Sequence, residues 1–252
     1  MSLAPGKMNF ICELPIFLTF IQKMPISPTL ASQAVAESAP WEQEQIAQAA
    51  QAIESREYAK AVALLLPLAQ YPAAQCFLGM AYLDDPLQQG MRGQGWQLLI
   101  SSANAGFGYA SLALGHRYLT DHDRGSQIEV TETQDSVEQA RYWLSKGAEH
   151  GCLYSLYFLS QCDAKMGDFV AAGKWLSLAA TLGHEGASEL CDSHPLDLDS
   201  ESLAIAKTQA MEWLNEKAAS DDKWALRLAE IRARGRTSAA PTRNKLDRIV
   251  LH

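Results

Sequence analysis

Two kinds of segment recur along this chain, and an internal repeat constrains a fold more tightly than composition can. Residues 73–83 read AAQCFLGMAYL and residues 109–119 read YASLALGHRYL. Ala74, Leu78, Gly79 and Tyr82 fall on Ala110, Leu114, Gly115 and Tyr118, each 36 positions later. A second segment type alternates with the first. Residues 140–151 (ARYWLSKGAEHG) fall on 172–183 (AGKWLSLAATLG), 32 positions later. Trp143, Leu144, Ser145, Ala148 and Gly151 thereby match Trp175, Leu176, Ser177, Ala180 and Gly183. Residues 95–106 (GWQLLISSANAG) are an earlier copy, and residues 210–221 (AMEWLNEKAASD) a degraded later one.

The recurring positions have physical reasons. Apolar residues in both segments fall three and four apart, the spacing of one helical face. Gly79 and Gly115 sit inside those helices, where glycine costs about 1 kcal/mol relative to alanine. Its recurrence predicts a place where a partner helix comes too close for a side chain, and Ala74, Ala110, Ala148 and Ala180 follow the same logic. Gly106, Gly151 and Gly183 are placed to end helices in the left-handed conformation. A single helix pair cannot bury its apolar face, so the copies must stack. Helices are expected near 40–54, 57–70, 73–83, 95–105, 109–120, 136–150, 153–166, 169–182, 185–192, 200–220 and 223–234. No segment alternates with the period of two that marks a strand.

The helix motif L-G-x-x-Y, followed by D-x-x-x-A-x-x-W-x-x-x-A-x-x-G, resembles the Sel-one-like repeat, a cousin of the tetratricopeptide repeat. Residues 135–151 lie closest to it. The resemblance covers residues 58–186 well and 199–235 weakly. It departs at Ser160, which stands where the helix glycine belongs, and at Asp163, where the aromatic is missing. It implies an all-α fold, a right-handed α/α superhelix of stacked antiparallel helix pairs occupying residues 36–236. Members of that family serve mostly as adaptors and assembly factors, often in bacterial envelopes. The partner of a chain like this one is another protein or peptide.

Charge and composition narrow the alternatives. The formal charge is −8. From Arg227 onward seven basic residues face two acidic ones, which puts +5 on the tail and −13 on everything before it. An acidic body repels nucleic acid, because phosphate contact needs clustered Lys and Arg. No stretch reaches the roughly 20 apolar residues of a membrane-spanning helix. Residues 1–35 read as a leader: the apolar run 14–21 (LPIFLTFI) follows Lys7 and precedes Ser32-Gln33-Ala34, a small-x-Ala step of the kind a signal peptidase accepts. Glu13, the shortness of the run and Gln22-Lys23 directly after it weigh against that reading. The expected setting is periplasmic or secreted, with a cytoplasmic adaptor as the alternative. Residues 237–252 read as a flexible basic tail.

Chemistry-bearing motifs are sparse. Gly106-Phe107-Gly108 lacks the strand and final glycine of a dinucleotide loop, and the loop from Gly90 to Gly95 lacks the Lys-Ser/Thr of a phosphate loop. Cys191, Asp192 and His194, with His184 upstream, match no zinc spacing. His116 near Asp121, His122 and Asp123 reads as part of a hydrophilic loop. Asp197-x-Asp199-x-Glu201 lacks the glycine of a calcium loop, and Asp199 or Ser200 reads more simply as a helix cap. The five cysteines form no C-x-x-C pair. Cys152 and Cys162 on one helix stand about 15 Å apart, well beyond disulfide reach. The chain therefore reads as a non-enzyme with no cofactor and no metal. A hydrolase or β-lactam-binding protein on the same solenoid is the alternative, weakened because relatives credited with that binding carry regularly paired cysteines.

In tetratricopeptide-like stacks the first helix of each pair lines the concave face. Counted from the Leu-Gly anchor, the positions three before the glycine and one after it face that groove. They are Cys76 and Met80, then Leu112 and His116, then Tyr157 and Gln161, with Tyr109 and Tyr154 one turn earlier. Met80, Tyr109, Leu112, His116, Tyr154, Tyr157 and Gln161 are the candidate partner-binding residues. The competing reading is that the tyrosines only pad neighbouring helices.

Overall fold

A computed structural model describes residues 40–124, 136–193, 196 and 198–238. The expected leader 1–35, the loop 125–135 and all of the tail beyond residue 238 lie outside the described residues. Among the described residues there are eleven α-helices and no strand. They are α1 (Pro40–Glu54), α2 (Tyr58–Leu65), α3 (Pro72–Asp84), α4 (Arg92–Asn104), α5 (Gly108–Arg124), α6 (Ser136–Glu149), α7 (Leu153–Lys165), α8 (Phe169–Thr181), α9 (Glu185–Ser193), α10 (Ser200–Ser220) and α11 (Asp222–Ser238).

Local chemistry sets the ends. Gly106, Gly151, Gly167 and Gly183 have φ of 88°, 85°, 82° and 95°. At each, the glycine and the following residue donate their N–H groups back to the last turn, as in Gly183 N–H to Ala180 O and His184 N–H to Ala179 O. This satisfies carbonyls that a helix end leaves orphaned. Arg56 makes the same turn after α1 with φ of 60°, in a conformation that disfavours any Cβ. Asp168 and Asp199 cap α8 and α10 by accepting the N–H of Ala171 at 2.9 Å and of Ser202 at 2.7 Å. Those backbone donors hold the Asp199 carboxyl below its ordinary range.

Four expectations shift by three residues or more: the helix expected from 95 begins at Arg92, the one expected to end at 234 runs to Ser238, and two others differ as follows. The helix expected over 57–70 stops at Leu65 and continues as a 3-10 turn over Leu66–Leu68. Pro67 has no N–H to donate to the preceding turn, which ends the α-helix there. The helix expected to end at Thr120 runs to Arg124, so Asp121, His122 and Asp123 belong to α5 and not to a loop.

The chain divides into two compact units at Ala110, within the first turn of α5. In the first, α1 packs on α2 and α3, α2 on α3, and α3 on α4. In the second, α6 packs on α7, α7 on α8, α8 on α9 and α10, and α10 on α11. The recurring helix glycines are points of closest approach. A Cβ at Gly79 would lie 2.7 Å from the carbonyl oxygen of Gly95 and 3.1 Å from Leu99 Cγ. One at Gly95 would lie 2.9 Å from the oxygen of Gly79 and 2.9 Å from Leu83 Cγ. Position 79 thus meets 99 while 83 meets 95, so α3 and α4 run in opposite directions. Gly115 repeats the arrangement in the second unit, where a Cβ would meet Leu144 Cγ at 2.5 Å and the carbonyl oxygen of Ala140 at 3.0 Å. Ala140 and Leu144 are the residues that align with Gly95 and Leu99, so the two units use one packing register.

The degraded last copy closes the second unit. Trp224 is fully buried and donates its indole N–H to Glu149 O at 3.3 Å, while Arg227 donates to Gly151 O at 3.3 Å. Both fasten α11 to the turn after α6, whose carbonyls attract donors and positive charge.

Candidate functional site

Helical spacing brings the candidate residues of each first-type helix to one side: positions 109, 112 and 116 on α5, and 154, 157 and 161 on α7. The tertiary environment then separates them. In the first unit Met80 is buried with 7% exposure, as is Cys76. Tyr109 is half-buried, with its ring 5.8 Å from that of Phe77 and 6.3 Å from that of Phe107. In the second unit Leu112 is buried with 4% exposure, whereas His116, Tyr154, Tyr157 and Gln161, like Tyr109, are half-buried.

Three of these side chains join one aromatic array. The His116 ring lies 5.5 Å from Phe158, edge on, and Phe158 lies 5.5 Å from Tyr157. Tyr157 stacks on His184 at 4.8 Å with 11° between the planes. Tyr154 meets the other side of the array edge on, its ring centre 4.8 Å from that of His184. Burial pushes the Tyr154 phenol above its ordinary value and the His184 imidazole below its own. Phe158 and His184 are buried beneath the half-buried tyrosines, whose rings and hydroxyls are stacking surface and hydrogen-bonding tips of the kind interfaces favour.

Two members of the array, Phe158 and His184, do not come from the groove pattern. His184 had a legible signal nonetheless. It follows Gly183 as Phe107 follows Gly106 and Cys152 follows Gly151, and all three are buried. The residue after such a glycine commonly packs back onto the helix it ends. What Phe107 does for Phe77 and Tyr109, His184 does for Tyr154 and Tyr157.

A second polar feature sits where the repeat lacks its aromatic. Asp163 occupies the position of Tyr82 and Tyr118 and is 1% exposed. It accepts from Arg141 Nε at 2.6 Å and from the Trp175 indole N–H at 2.9 Å. Trp175 continues edge on to Trp213 at 5.6 Å, and Trp213 to Trp224 at 5.2 Å. Lys174 lies over Trp175 and Lys217 over Trp213, at 4.3 and 5.6 Å from the ring centres. Every carboxylate oxygen of Asp163 is engaged, so the cluster reads as structure.

Other chemistry is limited. Cys152 and Cys162 are free thiols. Burial, with Asp163 beside it, pushes the Cys162 thiol up to about 12, and burial also raises Cys152. Thiols held protonated in this way are poor nucleophiles and poor metal ligands. No three potential metal-ligating side chains come together among the described residues, and no helix among them is long and apolar enough to cross a membrane. Compared with protein-family models, with curated proteins and with solved structures, the chain matches none.

Proposed function

We propose that this chain is a protein-binding scaffold built from Sel-one-like repeats. In this reading its helix pairs stack as a right-handed α/α superhelix and present the α5 and α7 stripe to a protein or peptide in an envelope or periplasmic setting. The carrying observation is the repeated packing register, Gly79 against Gly95 and Leu99, then Gly115 against Ala140 and Leu144. Equivalent contacts between equivalent residues are what a stack of like modules requires. Supporting the choice of face, His116, Tyr154, Tyr157 and Gln161 are only half-buried on first-type helices, and tyrosine anchors are common at the centres of interfaces. Leu112 is buried and would serve such a face by supporting it from beneath.

The test must spare the tyrosines, because Tyr154 and Tyr157 also pack on His184. Gln161→Arg adds bulk and charge to the stripe without removing a packed ring. Affinity capture from native cells should recover a partner with the unaltered chain and lose it with Gln161→Arg, at unchanged helicity and melting temperature. Undiminished capture would place the binding site elsewhere. Small-angle scattering reports whether the repeats form an extended superhelix, and sequencing the mature N-terminus reports export.

A further inference from the structure

The strongest feature left unexplained is the junction between α8 and α9, where one residue closes α8 with its backbone and caps α9 with a titratable side chain. His184 is 5% exposed. Its backbone N–H closes the last turn of α8 by donating to Ala179 O at 2.9 Å. Its Nδ1 caps the first turn of α9 by accepting the N–H of Ala187 at 3.1 Å. Its ring is stacked on Tyr157 and met edge on by Tyr154, both from α7. We propose that His184 is an acid-sensitive latch: neutral, its ring fastens the start of α9 to α7, and protonated it releases the start of α9 and uncovers the rings of Tyr154 and Tyr157.

The chemistry runs through one nitrogen. An Nδ1 that accepts a hydrogen bond leaves the ring proton on Nε2. On protonation Nδ1 becomes a donor facing another donor, the Ala187 N–H, so the cap is lost and replaced by repulsion. The new charge also sits at a helix N-terminus, the end that disfavours cations. The groups around the ring are few. Tyr154 and Tyr157 face it from α7, and α8 supplies no ionisable side chain over its final turn, residues 179–182. The Arg234 guanidinium of α11 reaches 3.9 Å from the Cβ position of Gly183, next to His184. Glu185, on α9 itself, favours the charged form, but burial of the ring outweighs it and holds the imidazole below its ordinary value of 6.5.

The sign follows. A histidine whose folded value is depressed takes its proton first in the unfolded chain. Its contribution is therefore complete above about pH 6.5 and is lost as pH falls through the lower folded value. The latch does not depend on whether the stripe binds a partner.

The experiment compares the full chain with His184→Asn, since asparagine keeps a capping acceptor and does not titrate. Amide hydrogen exchange at Ala187 and Ser188, corrected for the intrinsic pH dependence, should be several-fold faster at pH 5 than at pH 7.5 in the unaltered chain. In His184→Asn the two rates should agree. Equal acceleration in both chains, or none in either, overturns the latch. Should the variant fail to fold, the His184 ring titration in the unaltered chain decides by NMR. Titration below the ordinary histidine value, coincident with loss of protection in α9, upholds the proposal; titration at or above it, or with α9 still protected, overturns it.

Discussion

The α3–α4 pair of the first unit and the α7–α8 pair of the second answer one packing problem in opposite ways. In the first, Gly79 lets α4 approach until backbone meets backbone, and Tyr82 fills the space one turn later with a buried ring. In the second, Ser160 replaces the glycine and folds its hydroxyl onto its own helix, donating to Tyr157 O at 2.8 Å. Asp163 replaces the tyrosine, and its carboxylate joins α6 through Arg141 and α8 through Trp175. The same helix-pair architecture is thus held by apolar contact in one place and by a buried hydrogen-bonded carboxylate in another. Apolar contact tolerates no added volume, whereas the carboxylate tolerates no lost acceptor.

That contrast can be broken most severely at Asp163. Asp163→Ala strands the buried indole N–H of Trp175 and leaves a void, and should lower stability by about 3 kcal/mol. Asp163→Asn keeps one acceptor for the Trp175 indole and turns its NH2 toward Arg141, losing that bond along with the charge. Since the Arg141 side chain is 46% exposed, its pairing is screened and the loss should be nearer 1 kcal/mol. Urea midpoints of the two variants measure the difference, and equal losses would mean that the ion pair, not the indole bond, carries the contact.

The apolar version is probed by Gly79→Ala. Alanine gains about 1 kcal/mol of helix propensity, but its Cβ meets a backbone oxygen at 2.7 Å that cannot rotate away. Overpacking of this kind costs about 1–3 kcal/mol, so the net expectation is a loss of about 1 kcal/mol. Gly115→Ala meets the Leu144 side chain first. A leucine can change rotamer, so the same substitution there should lose less by the same urea titration. Losses in the reverse order would show that the Leu144 pocket is the more rigid.

The smallest effect is expected at Arg56, which adopts a left-handed turn that the other copies give to glycine. Arg56→Gly relieves that strain but loosens the unfolded chain, for a net gain of about 0.5 kcal/mol. A rise of a degree or two in melting temperature would register it; a fall would mean that the arginine side chain contributes packing.

Much of this was legible in the residues because it depends on local rules. The period of three and four placed the helices, and the boundaries at 40–54 and 200–220 follow from caps and breakers a few residues away. Gly106, Gly151 and Gly183 were readable because only glycine makes the left-handed turn without strain. The close approach at Gly79 and Gly115 was readable because a repeated helix glycine has no local advantage. Where the reading rested on a stripe drawn along a helix face, it could not tell burial from exposure. Positions 76, 112 and 157 are equivalent by helical phase, yet Cys76 and Leu112 are buried and Tyr157 is not. Which side of a helix is covered depends on neighbours distant in sequence. His184, 27 positions beyond Tyr157, and Asp163, 22 beyond Arg141, acquire their roles only when those partners arrive. The sequence by itself determined the helices, their ends and the register in which paired helices touch. Only the tertiary structure decided which polar side chains are sealed inside, because desolvation is set by everything packed around a group and not by its place in a repeat.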